Sequence, residues 1–135
     1  MLRQLSIRIP DRLNYLADIV EKSRSILELQ DDWDDEGSPG YSEQTWERAV
    51  TFLLENAVSL WQEKGFCVTA PAIHNGPEGS IDIYWETDNR KLLINVPADR
   101  NKLADFYGYD SLGREVKGML KLSEPNEWLL LWQMG

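Results

Sequence analysis

The chain has 135 residues, with 14 lysines and arginines against 23 aspartates and glutamates, and a formal net charge of −9 at neutral pH. With 42% hydrophobic and 27% charged residues it reads as one domain able to bury a sizeable core. This composition excludes collagen-like, membrane-spanning and disulfide-stapled classes, and it argues against direct nucleic-acid binding, which needs clustered positive charge.

Residues 4–9 alternate. Leu5, Ile7 and Ile9 share one face and Gln4, Ser6 and Arg8 the other, which predicts a short strand. Pro10 breaks it, and Asp11 suits a helix entry. From Asp11 to Leu29 the series Leu13, Leu16, Val20, Ser23 and Leu27 recurs at spacings of three and four, flanked by Ala17, Ile19 and Ile26. That spacing predicts an amphipathic helix. Residues 31–42 read DDWDDEGSPGYS, a loop of turn formers and charge. Ser42 then serves as an N-cap, with Glu43 in the first turn. The second helix carries Trp46, Ala49, Val50, Leu53, Ala57, Leu60 and Trp61 on one side and ends at Gly65.

After Gly65 the period falls to two. Residues 66–74 predict a weak strand interrupted by Pro71, and NGPEG at 75–79 is a turn cluster. Residues 80–86 give the clearest strand, with Ile81, Ile83 and Trp85 on one face and Asp82, Tyr84 and Glu86 on the other. TDNR at 87–90 has hairpin length, and 91–96 returns with Leu92, Ile94 and Val96 inward. After a turn over 97–102, residues 103–109 and 115–122 predict two more strands joined around Gly113. Connections this short make neighbouring strands antiparallel. The fold class expected is α+β: two N-terminal amphipathic helices on one face of a four- to five-stranded antiparallel meander. In the tail, Ser123, Glu124 and Pro125 resemble a helix start, although 127–134 also reads as a last strand. The start signal favours a short C-terminal helix.

The order of WDDEGSPGYS at 33–42, a following helix, PEGSIDIYW at 77–85, NRKLLINV at 89–96, FYG at 106–108 and VKG at 116–118 resembles a family of small uncharacterised bacterial proteins. Their pattern is a Trp-Asp-x-x-Gly loop, a helix, a Pro-Asp-Gly-like turn and an antiparallel meander whose first strand ends in Trp. Glu78 stands here where Asp is usual. The resemblance covers roughly residues 27–120. It implies an α+β fold and a bacterial origin, and it brings no activity.

The densest constellation of chemistry is the acidic loop. Counted from Asp32, acids fall at positions 1, 3 and 5 (Asp32, Asp34, Glu36), Gly37 at 6 and Glu43 at 12, the spacing of a calcium loop. Pro39 at position 8, the long Glu36 at position 5 and the lack of a second such loop weigh against a metal site. The favoured reading is a solvated loop with Trp33 tucked onto the helix pair. His74, the sole histidine, precedes a turn and reads as exposed rather than as a general base. Cys67, the sole cysteine, sits between Phe66 and Val68 and reads as a buried inert thiol. No phosphate-cradling glycine loop, zinc cluster, nucleophile elbow or nicotinamide fingerprint occurs in the sequence, so no catalytic residue and no cofactor is expected.

These readings converge on a non-catalytic, acidic protein-interaction module of the bacterial cytosol. It would act as an inhibitor or accessory subunit, antitoxin-like or nucleic-acid-mimicking, on a basic partner protein. Asp31, Trp33, Asp35, Asp82, Tyr84 and Glu86 are the expected contact residues. A second copy of the chain is another partner open to it. The lone thiol, the absence of a secretory-signal pattern over 1–30 and the absence of a long apolar run point to a cytoplasmic protein with no membrane role. The alternative is a divalent-metal module or metal-dependent enzyme built on the 31–43 loop.

Overall fold

The alternation that begins after Gly65 builds the sheet. In the computed structural model, which describes residues 7–134, strands β1 (Ala72–Asn75), β2 (Ile81–Glu86), β3 (Arg90–Val96), β4 (Ala104–Asp110) and β5 (Glu115–Leu120) pair in chain order as one antiparallel meander. Ile81 faces Val96, Ile83 faces Ile94 and Trp85 faces Leu92, so the six inward residues meet on one face, all fully buried. The tight connections close on their own backbone. The Thr87 N–H donates to the Arg90 carbonyl at 2.8 Å, and the Asp110 N–H to the Arg114 carbonyl at 3.0 Å.

Three helices cover that face: α1 (Asn14–Ser23), α2 (Glu43–Lys64) and α3 (Glu127–Trp132). α1 lies against β1, α2 against β2 and β3, and α3 against α2. Trp128 of α3 meets Phe106 edge-on at 5.8 Å, and the Trp132 ring lies over Gly108, which places α3 above β4. α2 starts and stops where its caps dictate. The Ser42 hydroxyl accepts from the Thr45 N–H at 3.1 Å, and Gly65 takes a left-handed φ of 73° while its N–H donates to the Trp61 carbonyl. α3 is tied to α2 by the Asn126 N–H, which donates to Asn56 Oδ1 at 2.8 Å, and it buries Leu129 and Leu130. The helix reading of the tail is the one the structure has.

Four expectations are corrected. The helix expected over 11–29 is regular only in α1, with 3-10 turns at Asp11–Leu13 and Arg24–Glu28. At the second junction the Ser23 hydroxyl donates back to the Val20 carbonyl at 2.6 Å and accepts from Trp46 Nε1 at 2.8 Å. Such back-bonding competes with helix continuation, and helix ends tighten readily to 3-10. Of the strand expected over 4–9, residues 4–6 lie outside the described residues, and 7–9 join no strand. Ile7 and Ile9 instead pack half-buried on the core. The strand expected over 66–74 shrinks to β1. Pro71 has no N–H for a ladder, and side chains from elsewhere claim the preceding carbonyls: Tyr15 OH donates to Val68 O, and Trp85 Nε1 to Thr69 O at 2.7 Å. Cys67, expected buried, is half-buried in this stretch. Burial, reinforced by Cys67, pushes the Tyr15 phenol up to about 12, so it stays a donor.

Among the described residues no helix is long and apolar enough to cross a membrane.

Candidate functional site

With all three helices on one side, the alternation of each strand sends a second set of side chains to the other. Across β1 to β5 the registers align His74, Asp82, Asn95, Asp105 and Met119 in one row. A second row holds Ala72, Tyr84, Leu93, Tyr107 and Lys117, and a third holds Glu86, Lys91, Tyr109 and Glu115. No helix of the described residues covers this face. Tyr107 keeps 42% of its surface exposed, Tyr109 38% and Met119 61%. The centre of the face is therefore aromatic and apolar, and its margin carries carboxylates.

The tyrosines are held by that margin. The Tyr107 hydroxyl donates to Glu115 Oε2 at 2.5 Å, and the Tyr84 hydroxyl to Glu86 Oε1 at 3.2 Å. The Tyr107 and Tyr109 rings stand 5.9 Å apart. Lys91 Nζ sits 5.8 Å from the Tyr109 ring centroid and 3.5 Å from the Glu86 carboxylate. The Glu115 hydrogen bond raises the Tyr107 phenol above its ordinary value, while burial and then Glu86 raise Tyr84. Glu86 also raises the Lys91 ammonium. At neutral pH the phenols are protonated donors, and their carboxylate acceptors keep further lone pairs for a cation.

Asp82 differs from its neighbours because it is part-buried. Burial raises its carboxyl above the usual range, with Asp105 adding to the rise and Asn95 and His74 opposing it. Asn95 Nδ2 donates to Asp82 Oδ1 at 2.7 Å and to Ser80 Oγ at 2.9 Å, and Ser80 Oγ donates to the Pro77 carbonyl at 2.6 Å. Gly76 leaves room for this network, since a Cβ there would lie 2.5 Å from Ser80 Oγ and push that hydroxyl aside. The Tyr41 hydroxyl donates to the Gly76 carbonyl at 2.6 Å and ties the acidic loop to the same end of the sheet.

Within that loop three of the carboxylates turn back onto the loop's own backbone. Asp31 Oδ1 accepts from the Gly40 N–H at 2.8 Å, and Asp32 Oδ1 from the Gly37 N–H at 2.7 Å. Asp34 accepts from the Ser38 hydroxyl and from the Glu36 and Ser38 N–H groups, the hydroxyl bond being the main cause of its lowered pKa. Asp32, Asp35 and Gly37 all take left-handed φ values, 63°, 60° and 82°, which curl the loop on itself. Trp33 is accordingly not tucked onto the helix pair, as the sequence suggested. It is 39% exposed, leans on Tyr41 at 6.3 Å, and donates from Nε1 to the Pro39 carbonyl at 3.1 Å.

The calcium-loop spacing of Asp32, Asp34, Glu36 and Glu43 does not become a shared site, and among the described residues no three His, Cys, Asp or Glu side chains converge as a metal-ion set. Glu43 stands in the first turn of α2. Of the expected contact residues, Asp82, Tyr84 and Glu86 share the open face, whereas Asp31, Trp33 and Asp35 stand on the loop at its end. His74 is exposed on the open face, opposite Asp82. Leu93, Tyr107, Tyr109 and Met119 were missed from the sequence. The signal was present, because alternation from inward Phe106 sends Tyr107 and Tyr109 outward.

Comparison with family models, with curated proteins and with solved structures finds no match to this chain.

Proposed function

We propose that the chain is a non-catalytic protein-binding module of the bacterial cytosol, an inhibitor or accessory subunit whose open sheet face docks a basic segment of a partner protein. The observation that carries this reading is the composition of the face. Tyr84, Tyr107 and Tyr109 surround Leu93, with Met119 beside them, and Asp82, Glu86, Asp105 and Glu115 stand around this group and outnumber its two lysines, Lys117 and the Glu86-paired Lys91. Aromatic anchors inside a polar rim are the anatomy of a protein interface. The chemistry favours arginine or lysine from the partner, because a tyrosine face attracts a cation and the flanking carboxylates accept its hydrogen bonds. An antiparallel sheet left to solvent needs polar residues on its outer face, not a cluster of large aromatics.

The test is affinity capture from a bacterial host with the parent chain and with the Y107A/Y109A variant, followed by kinetics on the purified partner. The reading expects capture to be lost in the variant. It also expects the parent's association rate to fall as salt rises from low to physiological strength. A partner that binds the parent and the variant equally, with no salt dependence, overturns it.

A further inference from the structure

A cavity of about 450 Å³ opens between the first half of α2, the β3–β4 connection and the chain leaving β5. Four cations line it, Arg48, Arg100, Lys102 and Lys121, over an apolar floor that includes Leu120 and Leu122, and no carboxylate lines it. In a chain where acids outnumber bases 23 to 14, this grouping runs against composition. Among the described residues none of the four forms an ion pair within 4.0 Å, the salt bridges found being elsewhere. Arg48 is held in place instead by donating from Nη2 to the Pro97 carbonyl at 2.5 Å. Burial first, and the neighbouring Arg100 second, disfavour its charged form, and Asp99 opposes them only in part. Glu47 and Glu55 lie outside this cavity, in the adjoining groove along α2 that shares Arg48 and Arg100.

Like charges gathered with no ion-pair partner within 4.0 Å, and with Asp99 offsetting Arg48 only in part, repel one another unless a bound anion neutralises them. We infer that this cavity is a binding site for a small organic anion carrying at least two negative charges, a phosphomonoester or a polycarboxylate, with its carbon body on the leucine floor. The guanidinium of Arg100 supplies a forked donor, Arg48 supplies its charge and the N–H groups left free by the Pro97 and Ala98 carbonyls, and Lys102 and Lys121 supply point charges. The cavity suits a small ligand rather than a macromolecular surface. This site is separate from the open sheet face and does not depend on the reading given to it.

The experiment is calorimetric titration of the full chain with pyrophosphate and with citrate in low salt. The expected result is saturable binding of at least one probe with a Kd below about 1 mM. Affinity should fall at least about tenfold in Arg100→Gln and again in Lys102→Gln. Both side chains are exposed, so both variants fold. Pyrophosphate binding alone assigns phosphate chemistry to the site, and citrate binding alone assigns carboxylate chemistry. Absence of saturable heat with either probe, or affinity unchanged in both variants, overturns the inference.

Discussion

One added methyl group tests how α3 is seated. Gly108 lies mid-strand in β4 on the helix-covered face, and a Cβ there would stand 2.7 Å from the Lys91 carbonyl oxygen and 2.9 and 3.1 Å from the Trp132 ring. The backbone oxygen belongs to β3, which is paired on both sides and cannot retreat without disturbing two ladders. Trp132 is also held, because Arg90 Nη1 donates to its carbonyl at 2.6 Å and the guanidinium stacks 4.7 Å over its ring. Two effects oppose each other in Gly108→Ala. Alanine is better than glycine in a strand by roughly 0.5–1 kcal/mol, while overpacking a filled site costs about 1–3 kcal/mol. With backbone as one of the obstacles the upper part of that range applies, so the net loss should be about 1–2 kcal/mol. Urea denaturation followed by circular dichroism measures it. Repeating the substitution in a Trp132→Ala background removes the ring obstacle and should shrink the penalty, giving a favourable coupling between the two sites. A Gly108→Ala chain as stable as the parent would refute the seating of α3 on β4.

Two further outcomes follow from the site. Asp82, raised by burial, binds its proton more tightly folded than unfolded, so its contribution to stability declines as pH rises from about 3.9, the unfolded value, through the higher folded value. Asp82→Asn should therefore raise the denaturation midpoint at pH 7 and flatten that slope, and a midpoint lower than the parent's at pH 7 would contradict it. Asp34→Ala removes the acceptor for three loop donors, so limited proteolysis should cut within 31–40 faster than in the parent; an unchanged cleavage rate would mean that the loop is held from elsewhere.

The parts of this fold that were legible in the sequence are those whose signal is local. β2 and β3 each keep a strict two-residue alternation across a three-residue link, and that alone places Ile81, Ile83 and Trp85 against Val96, Ile94 and Leu92. Ser42 and Gly65 mark the ends of α2 by the conformations their own positions require. What was not legible depends on distant partners. β1 is short partly because Tyr15 and Trp85, far away in sequence, take the carbonyls of Val68 and Thr69. The tail resolves to a helix through Asn56 and Gly108, neither of which marks it locally. The acidic loop kept the spacing of a metal loop, but the left-handed backbone at Asp32 and Asp35 sets where the carboxylates point, and spacing does not report it. The cationic cavity was invisible for the same reason, since its arginines and lysines come from three separate stretches of chain.

The segment Tyr107-Gly108-Tyr109 joins the two sides of the molecule in one alternation. Its inward position must be empty, because the Trp132 ring fills the space a side chain would need. Its outward positions are large, and they supply two of the three tyrosines on the open face. A slip of one residue in β4 would exchange the faces. The tyrosines would then meet α3, and Phe106 and the Asp110 carboxylate, now buried and hydrogen-bonded to the Arg114 N–H and guanidinium, would turn to solvent. The packing that fixes the register of β4 therefore also fixes the open face. Substitutions that unseat α3 should disturb the contact surface on the opposite side of the sheet, whereas Tyr107→Ala, pointing away from the core, should alter the surface and leave the packing of α3 intact.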